Sequence, residues 1–417
     1  MNNKSLAILS PLCICLFAGN AWAALEPFSF GASETLEHQS NLGHAATGER
    51  PDWVSTTELN AAINEPVGRD KFIASGALDL NRYKHAHNLN STGYRAAAEF
   101  DWNTIGDLAG SLGADSLRRQ YFYGETAEFT FGVPPTTELV RNLQTDNHAF
   151  LRASLGGQAR WTIFGGADAN HRNFSSDFYR VEEQRQWSTN LGTRYATSPD
   201  LSFGVTGNYV RGDYPHGGAN DTVQNFNSKS ASLTSRWQVS GNTLVDASLG
   251  YTAYYSDAFG GTRHFANGAL NFSWTPPSHL SFKLLLKRSA DADTSSVGIP
   301  VGPQGGSSLN GTSINSLAQL NATYAFTAKT SLEATAAYAE RKYENVLTVD
   351  DTGTTRNVDG ATRTSRYSLT AHFMPTRTTD LSCSAGRDTL RADAVLQKAA
   401  TGYSNNSVKC AASIRFD

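Results

Sequence analysis

The sequence predicts an all-β protein, a transmembrane, antiparallel, up-and-down β-barrel of about 18 strands that follows a cleaved signal peptide. Three observations predict it. Apolar and polar residues alternate with a period of two in segment after segment, without convincing helical amphipathicity. Tight turns and long polar loops follow one another in regular alternation. Beyond the first residues, no stretch approaches the roughly twenty apolar residues of a membrane helix.

The N-terminus reads as a secretory leader. Lys4 supplies a positive start, Leu6 to Phe17 form a short apolar run broken by Pro11, and Ala21-Trp22-Ala23 offers small residues before Ala24. The run is too short to span a bilayer, and polar sequence follows it at once. Residues 1–23 are therefore expected to be removed, leaving 24–417 as the barrel. Cys13 and Cys15 leave with the leader. Neither is preceded by the small residues of a lipoprotein cleavage site, so no lipid anchor is expected.

Composition narrows the class. Hydrophobic residues make up 39% and charged residues only 18%, with a mean hydropathy of -0.39. Disorder goes with high charge and few aromatics, and here aromatics reach 11%. A bilayer protein without apolar helices must be a closed barrel, because only helices and barrels satisfy their own backbone groups in lipid. The net charge of -3 gives no support to nucleic-acid binding.

The strands can be read one by one. Phe72, Ala74, Gly76, Leu78 and Leu80 alternate with Ile73, Ser75, Ala77, Asp79 and Asn81. Tyr94, Ala96, Ala98, Phe100 and Trp102 alternate with Arg95, Ala97, Glu99 and Asp101. The same pattern runs through 201–209, 231–239 and 280–287. A β-sandwich strand could alternate in this way too. What favours the barrel is the recurrence of aromatics near strand ends (Trp102, Tyr209, Trp237, Trp274, Tyr338 and Phe373), as in interfacial girdles. The last strand, Val408 to Phe416, alternates and closes on an aromatic, with Asp417 following it.

Tight turns are expected at Val67-Gly68, Ile105-Gly106, Gly156-Gly157, Ser198-Pro199-Asp200, Ser240-Gly241-Asn242, Pro276-Pro277-Ser278, Thr327-Ala328-Lys329 and 376–379. Long loops are expected around 38–52, 86–92, 122–137, 174–183, 213–223, 256–262, 291–312, 346–361 and 391–405. An even strand number puts both termini in the periplasm, with the short turns there and the long loops outside.

Few constellations point to chemistry. Cys383 and Cys410 are the cysteines of the mature chain and lie opposite each other if the last two strands pair. They form either a cross-strand disulfide, as an oxidising periplasm permits, or two small lipid-facing thiols. His85 and His87 are read on one strand face, where they could bind a metal, but most histidines fall in or beside loops, and no metal site, cofactor or catalytic residue is expected. The inward parity says more. Arg95, Arg152, Arg160, Arg194, Arg236, Lys283, Lys287, Arg341 and Arg366 should line the lumen, with Lys409 and Arg415 in the closing strand. Against them stand Asp79, Glu99, Asp101, Asp246 and Glu333, so the lumen is expected to be net basic. Such a pore favours anions. Mutual pairing of these charges inside a filled barrel is the competing expectation.

The chain also resembles a known family, the EpsL-type outer-membrane proteins associated with exopolysaccharide biosynthesis genes. The resemblance covers most of the mature chain and is strongest over 48–255. It is carried by Gly48-Glu49-Arg50, by Asp70-Lys71-Phe72, and by the hairpin from Leu80-Asn81-Arg82-Tyr83 to Gly93-Tyr94-Arg95. It continues through Tyr209-Val210-Arg211-Gly212-Asp213-Tyr214-Pro215, Ser235-Arg236-Trp237, Ser240-Gly241-Asn242 and Leu249-Gly250-Tyr251. These are strand and loop signatures; none is catalytic, and none carries a binding residue. The resemblance implies a part in assembling or exporting extracellular polysaccharide, with the polysaccharide, outer-membrane lipid and periplasmic export components as partners. A general or oligosaccharide porin and a structural or adhesive barrel with a filled lumen are the alternatives.

Overall fold

A computed structural model describes residues 28–416, except 45–47, 122–140, 158, 217–222, 258–260, 292–306, 309–311, 350–354 and 394–401. The expected leader 1–23 and the expected loop 122–137 lie outside the described residues.

The chain forms a closed antiparallel barrel of 18 strands. The first six are β1 (Phe28–Gln39), β2 (Asp52–Val67), β3 (Asp70–Tyr83), β4 (Ser91–Asn103), β5 (Leu108–Gln120) and β6 (Leu143–Leu155). Then come β7 (Trp161–Phe174), β8 (Gln184–Ser198), β9 (Leu201–Tyr214), β10 (Gln224–Ser240), β11 (Thr243–Ser256) and β12 (Gly261–Trp274). The last are β13 (Leu280–Asp291), β14 (Thr312–Thr327), β15 (Thr330–Val349), β16 (Thr355–Phe373), β17 (Thr379–Ala392) and β18 (Tyr403–Phe416). A two-residue bridge, Ser307–Ser308, adds to β15 at Thr348 and Leu347. Each strand pairs with its sequence neighbours, and β1 closes on β18 from Phe30 opposite Phe416 to Gln39 opposite Ser407. Closure leaves no edge strand, the condition a sheet must meet in hydrocarbon.

All eight expected turns connect strands at one end of the barrel, where both termini of the ladder also lie. Gly68 and Gly156 adopt positive φ in two of these turns (67° and 84°), a conformation side chains disfavour. At the opposite end run the long loops. The expected loop 346–361 is corrected: β15 continues to Val349 and β16 resumes at Thr355, so this hairpin stands beyond its neighbours. Its Asp, Asn and Gly residues suggested a loop. The ladder persists instead beyond an irregularity between Tyr343 and Val346, through pairs from Val346–Val358 to Val349–Thr355. The expectation for His85 and His87 is corrected as well. Strand β3 ends at Tyr83; His85 Nδ1 lies 3.0 Å from Asp52, and His87 opens a short 3-10 turn, His87–Leu89.

Residues directly opposite in a ladder share a face, so the registers sort every strand position into outward or inward. The outward set is apolar and exposed, with Leu191, Leu233 and Leu249 each more than 60% accessible. Aromatics bound this band in two girdles. Towards the short-turn end lie the pairs Phe30–Phe416, Trp161–Tyr195 and Trp274–Phe282; towards the loop end lie Trp53, Trp187–Tyr209 and Tyr338. This is the exterior of a transmembrane barrel of the outer-membrane class.

The buried apolar side chains gather at the loop end of the barrel. Leu42 and Leu89, from two loops, pack on Val54 and Tyr83. Tyr121, Phe174 and Tyr179 make a second cluster, and Phe226, Tyr254 and Phe265 a third. Loop residues take part in the first two clusters, and the third is made by inward residues of β10, β11 and β12. Asn41 seals the β1–β18 seam there: its backbone N–H donates to Asn405 Oδ1 (3.0 Å) and its amide to the Ser404 carbonyl (3.1 Å).

Cys383 and Cys410 are directly opposite on β17 and β18, on the outward face, and are joined in a disulfide with Cα atoms 4.1 Å apart. Thiol labelling of denatured, unreduced protein taken from its native envelope should therefore find no free thiol, and reduction should expose two. Topology gives a second expectation. A tag in 177–182 should be reached from outside intact cells and one at 240–242 should not; the reverse labelling would invert the barrel.

Candidate functional site

The inward face is the chemically distinctive surface, and its charges are unevenly distributed. On β2 to β7 acids and bases interleave. Arg95 is ion-paired with Glu58 and lies 3.7 Å from Asp79. Arg172 Nε donates to Asp146 at 2.9 Å. His148 sits between Asp115 (2.8 Å from Nδ1) and Asp168 (3.2 Å from Nε2), and Arg152 approaches the same Asp168 at 3.9 Å. The guanidinium of Arg152 also lies 4.3 Å over the ring of Phe150. One network therefore ties β5, β6 and β7 across the inner wall.

On β8 to β14 the balance changes. Arg194, Arg236, Arg263, Lys283 and Lys287 face inward by register, and Asp246 is the acid among them for the side chains described. Asp246 lies 3.8 Å from Arg236, and both side chains are more than a third exposed. Arg194 donates to Thr162 Oγ1 at 3.4 Å. Lys283 has no ion-pair partner among the described residues. Between these cations the wall is amide and hydroxyl: Asn208 donates to Ser230 (3.3 Å), Asn267 to Thr252, and Gln319 to Asn321 (3.3 Å). On β15 to β18 the signs mix again. Arg341 Nε donates to Asn315 Oδ1 at 2.7 Å, Arg366 is opposite Asp388, and His372 lies 4.0 Å from Asp380.

Two expectations change. Arg160 does not line the strand region. It lies exposed in the short turn, because β7 begins at Trp161, and its carbonyl accepts the Ala196 N–H at 2.8 Å. The lumen is not net basic all round either, since Glu58, Asp115, Asp146, Asp168, Asp380 and Asp388 face inward as well. Sequence reading missed Glu58, Asp115 and Asp168 because β2, β5 and β7 dilute their outward face with Thr57, Ser116 and Gly165. The signal was present in the neighbours: Leu59 and Leu112 fix an outward parity that leaves Glu58 and Asp115 inward.

Two inward aromatics pack closely over glycines of a neighbouring strand. A Cβ built on Gly192 would meet the Phe164 ring at 2.5 Å, and one on Gly212 would meet the Phe226 ring at the same distance. Each ring occupies the space its neighbouring strand leaves at glycine. Gly192→Ala would also place a Cβ 2.8 Å from the Val205 carbonyl oxygen, so it should shift the β8–β9 ladder locally as well as the Phe164 ring, and lower single-channel conductance. Unchanged conductance in planar bilayers would show that the ring does not bound the pathway.

No family model and no curated protein sequence matches the chain. Among solved structures it is similar to the outer membrane protein OpdK from Pseudomonas aeruginosa, at 10% identity and a TM-score of 0.48, over 93% of this chain and 99% of that one. It is similar as well to the FrpB iron transporter from Neisseria meningitidis, at 9% identity and a TM-score of 0.47, over 93% and 81%. A bacterial polysaccharide outer membrane secretin aligns at 11% identity and a TM-score of 0.35, over 93% and 98%. At these identities the likeness concerns the barrel alone.

Proposed function

We propose that this barrel is a non-enzymatic pore that takes part in exopolysaccharide biosynthesis or export, conducting an anionic or polar polysaccharide along the basic arc of its inner wall. The observation that carries the reading is the run of inward cations on β8 to β14, set in a wall of Ser, Thr, Asn and Gln, with Asp246 as the acid among the described side chains. Dispersed cations on several strands attract an acidic chain at many weak points, and conduction needs binding weak enough to release. Guanidinium forks hold carboxylates in two-point contacts, while amides and hydroxyls exchange hydrogen bonds with sugar hydroxyls. The resemblance to EpsL-type proteins supports the same reading from the sequence side.

A porin for small solutes is the second reading, and one observation favours it. The loop-end clusters around Leu42, Tyr121 and Phe226 bring apolar side chains to the mouth, which suits solutes smaller than a polymer.

The test is electrical and cellular. The triple variant Arg194→Glu, Arg236→Glu, Lys283→Glu should still assemble, because lumen substitutions chiefly tune selectivity. Its anion preference in planar bilayers should fall by about tenfold or more, since a one-signed arc concentrates counter-ions to that degree. Acidic polysaccharide fragments should block wild-type current more strongly than the variant's, and cells carrying the variant should show less surface polysaccharide. A cation-selective wild-type pore, or a variant that conducts and secretes normally, sinks the reading. Block by monosaccharides but not by polymer fragments selects the small-solute porin.

A further inference from the structure

The exterior of the barrel carries a charge pattern that conduction does not use. At the loop end of the lipid-facing band several outward positions are basic, alongside the outward acids Asp213, opposite Arg185, and Glu340, 3.1 Å from Arg363. Arg82 lies opposite Ser55, Arg118 opposite Tyr94, Arg211 opposite Trp187, Lys229 opposite Tyr209 and Arg387 opposite Tyr367. Four of these cations therefore stand beside an aromatic of the outer girdle, at the depth where lipid headgroups begin. Long basic side chains at such a depth often do no more than reach for water. A groove under one of them adds something that general reach for water does not explain.

This groove, of about 400 Å³, opens on the outer surface of β1 to β3 and is lined by Leu36, Trp53, Ser55, Arg82, Tyr83 and Lys84. Its floor is apolar and accessible, with Leu36 48% and Trp53 39% exposed. Its upper rim is cationic: Arg82 and Lys84 are both exposed. The ring of Trp53 is braced against His38, with centroids 4.9 Å apart, and the Trp53 carbonyl accepts the Lys84 N–H at 2.9 Å. Below the floor Glu34 accepts hydrogen bonds from Ser55 and, at 2.6 Å, from Thr57. Glu34 is thus held by hydroxyls two residues deeper than Leu36, and Asp52, beside Trp53, is buried and accepts the backbone N–H groups of Trp53 (2.8 Å), His85 (3.0 Å) and Ala86 (2.8 Å).

We infer that this groove is a binding site for an anionic acylated lipid of the outer leaflet, with a phosphate between Arg82 and Lys84 and an acyl chain along Leu36 and Trp53. Two features select a lipid. The groove crosses the girdle, so its occupant must be polar at one end and apolar at the other. Its rim also carries two cations without an acid at the same depth among the lining residues, which complements a phosphate. A water-soluble peptide would have to leave its apolar part in the hydrocarbon. A free phosphate would leave the floor uncovered.

The experiment uses the full barrel reconstituted in phosphatidylethanolamine vesicles doped with a bis-phosphorylated, multiply acylated disaccharide lipid or with its dephosphorylated form. Lipid retained after detergent extraction is measured by native mass spectrometry. Wild-type protein should retain the phosphorylated lipid preferentially. The double variant Arg82→Ser, Lys84→Ser should lose that retention by about tenfold or more, as expected for two charge-assisted contacts. Arg377→Ser, in a short turn at the other end, should retain it fully. Leu36→Trp fills the floor while keeping both cations, and should also lose retention. Equal retention of both lipid forms overturns the inference, as does full retention by the double variant together with Leu36→Trp. Displacement of the lipid by millimolar inorganic phosphate would assign the cations to a free anion and overturn the lipid site.

Discussion

The structure rests on one constraint: in hydrocarbon every backbone N–H and C=O must find a partner inside the protein. Each unsatisfied group costs several kcal/mol there, roughly the scale of a protein's entire net stability when two or three are left over. The pairing of β1 with β18 meets that constraint by giving the first and last strands neighbours on both sides. Closure then propagates. Because side chains alternate with a period of two, a one-residue slip at any pair would send apolar side chains inward and charges into lipid. The barrel therefore locks its own register, and the two faces become two separate chemical surfaces.

On the inner surface, the arrangement of ion pairs matters more than the number of charges. Where cations meet acids on neighbouring strands, as Arg95 does with Glu58 and Asp79, their fields cancel over short distances. Partly exposed pairs of this kind contribute about 1 kcal/mol or less each to stability. Between Arg194 and Lys287, Asp246 is the acid among the described inward side chains, so cations outnumber acids on that part of the wall. Among the described side chains, the same wall is therefore cross-linked by ion pairs over one arc and richer in cations than acids over another. Phe164 and Phe226 pack over Gly192 and Gly212, which leaves no room there for a side chain on the neighbouring strand.

The outer end of the barrel follows a different rule. Beyond the girdle the backbone is in water, so loops fold by burying small apolar groups, as around Leu42 and Leu89. The exterior at this depth combines aromatic and basic side chains, with a groove between them near Trp53 and Arg82. Inner and outer ends are thus unlike for a physical reason. One end only reverses direction between strands, and the other carries the long loops that fold over the strand ends.

The barrel class, the strand number, the eight short turns and the parity of strands such as β3, β4 and β9 were legible in the sequence. Each depends on local patterns: alternation over a few residues, or a Gly, Pro or Asn cluster at a reversal. Weakly patterned strands were legible only through single strong markers, as Leu112 fixes the parity of Asp115. What lay outside the sequence was lateral. Which acid meets Arg95, how far the hairpin of β15 and β16 rises, that Arg160 falls in a turn, and that Leu36 and Arg82 border one groove all depend on the stagger between strands. Alternation along a strand is a property of that strand alone. Stagger is fixed only when every strand is hydrogen-bonded to two others and the last has met the first, so the sequence by itself decided which face each residue takes, and the closed barrel decided what each residue meets there.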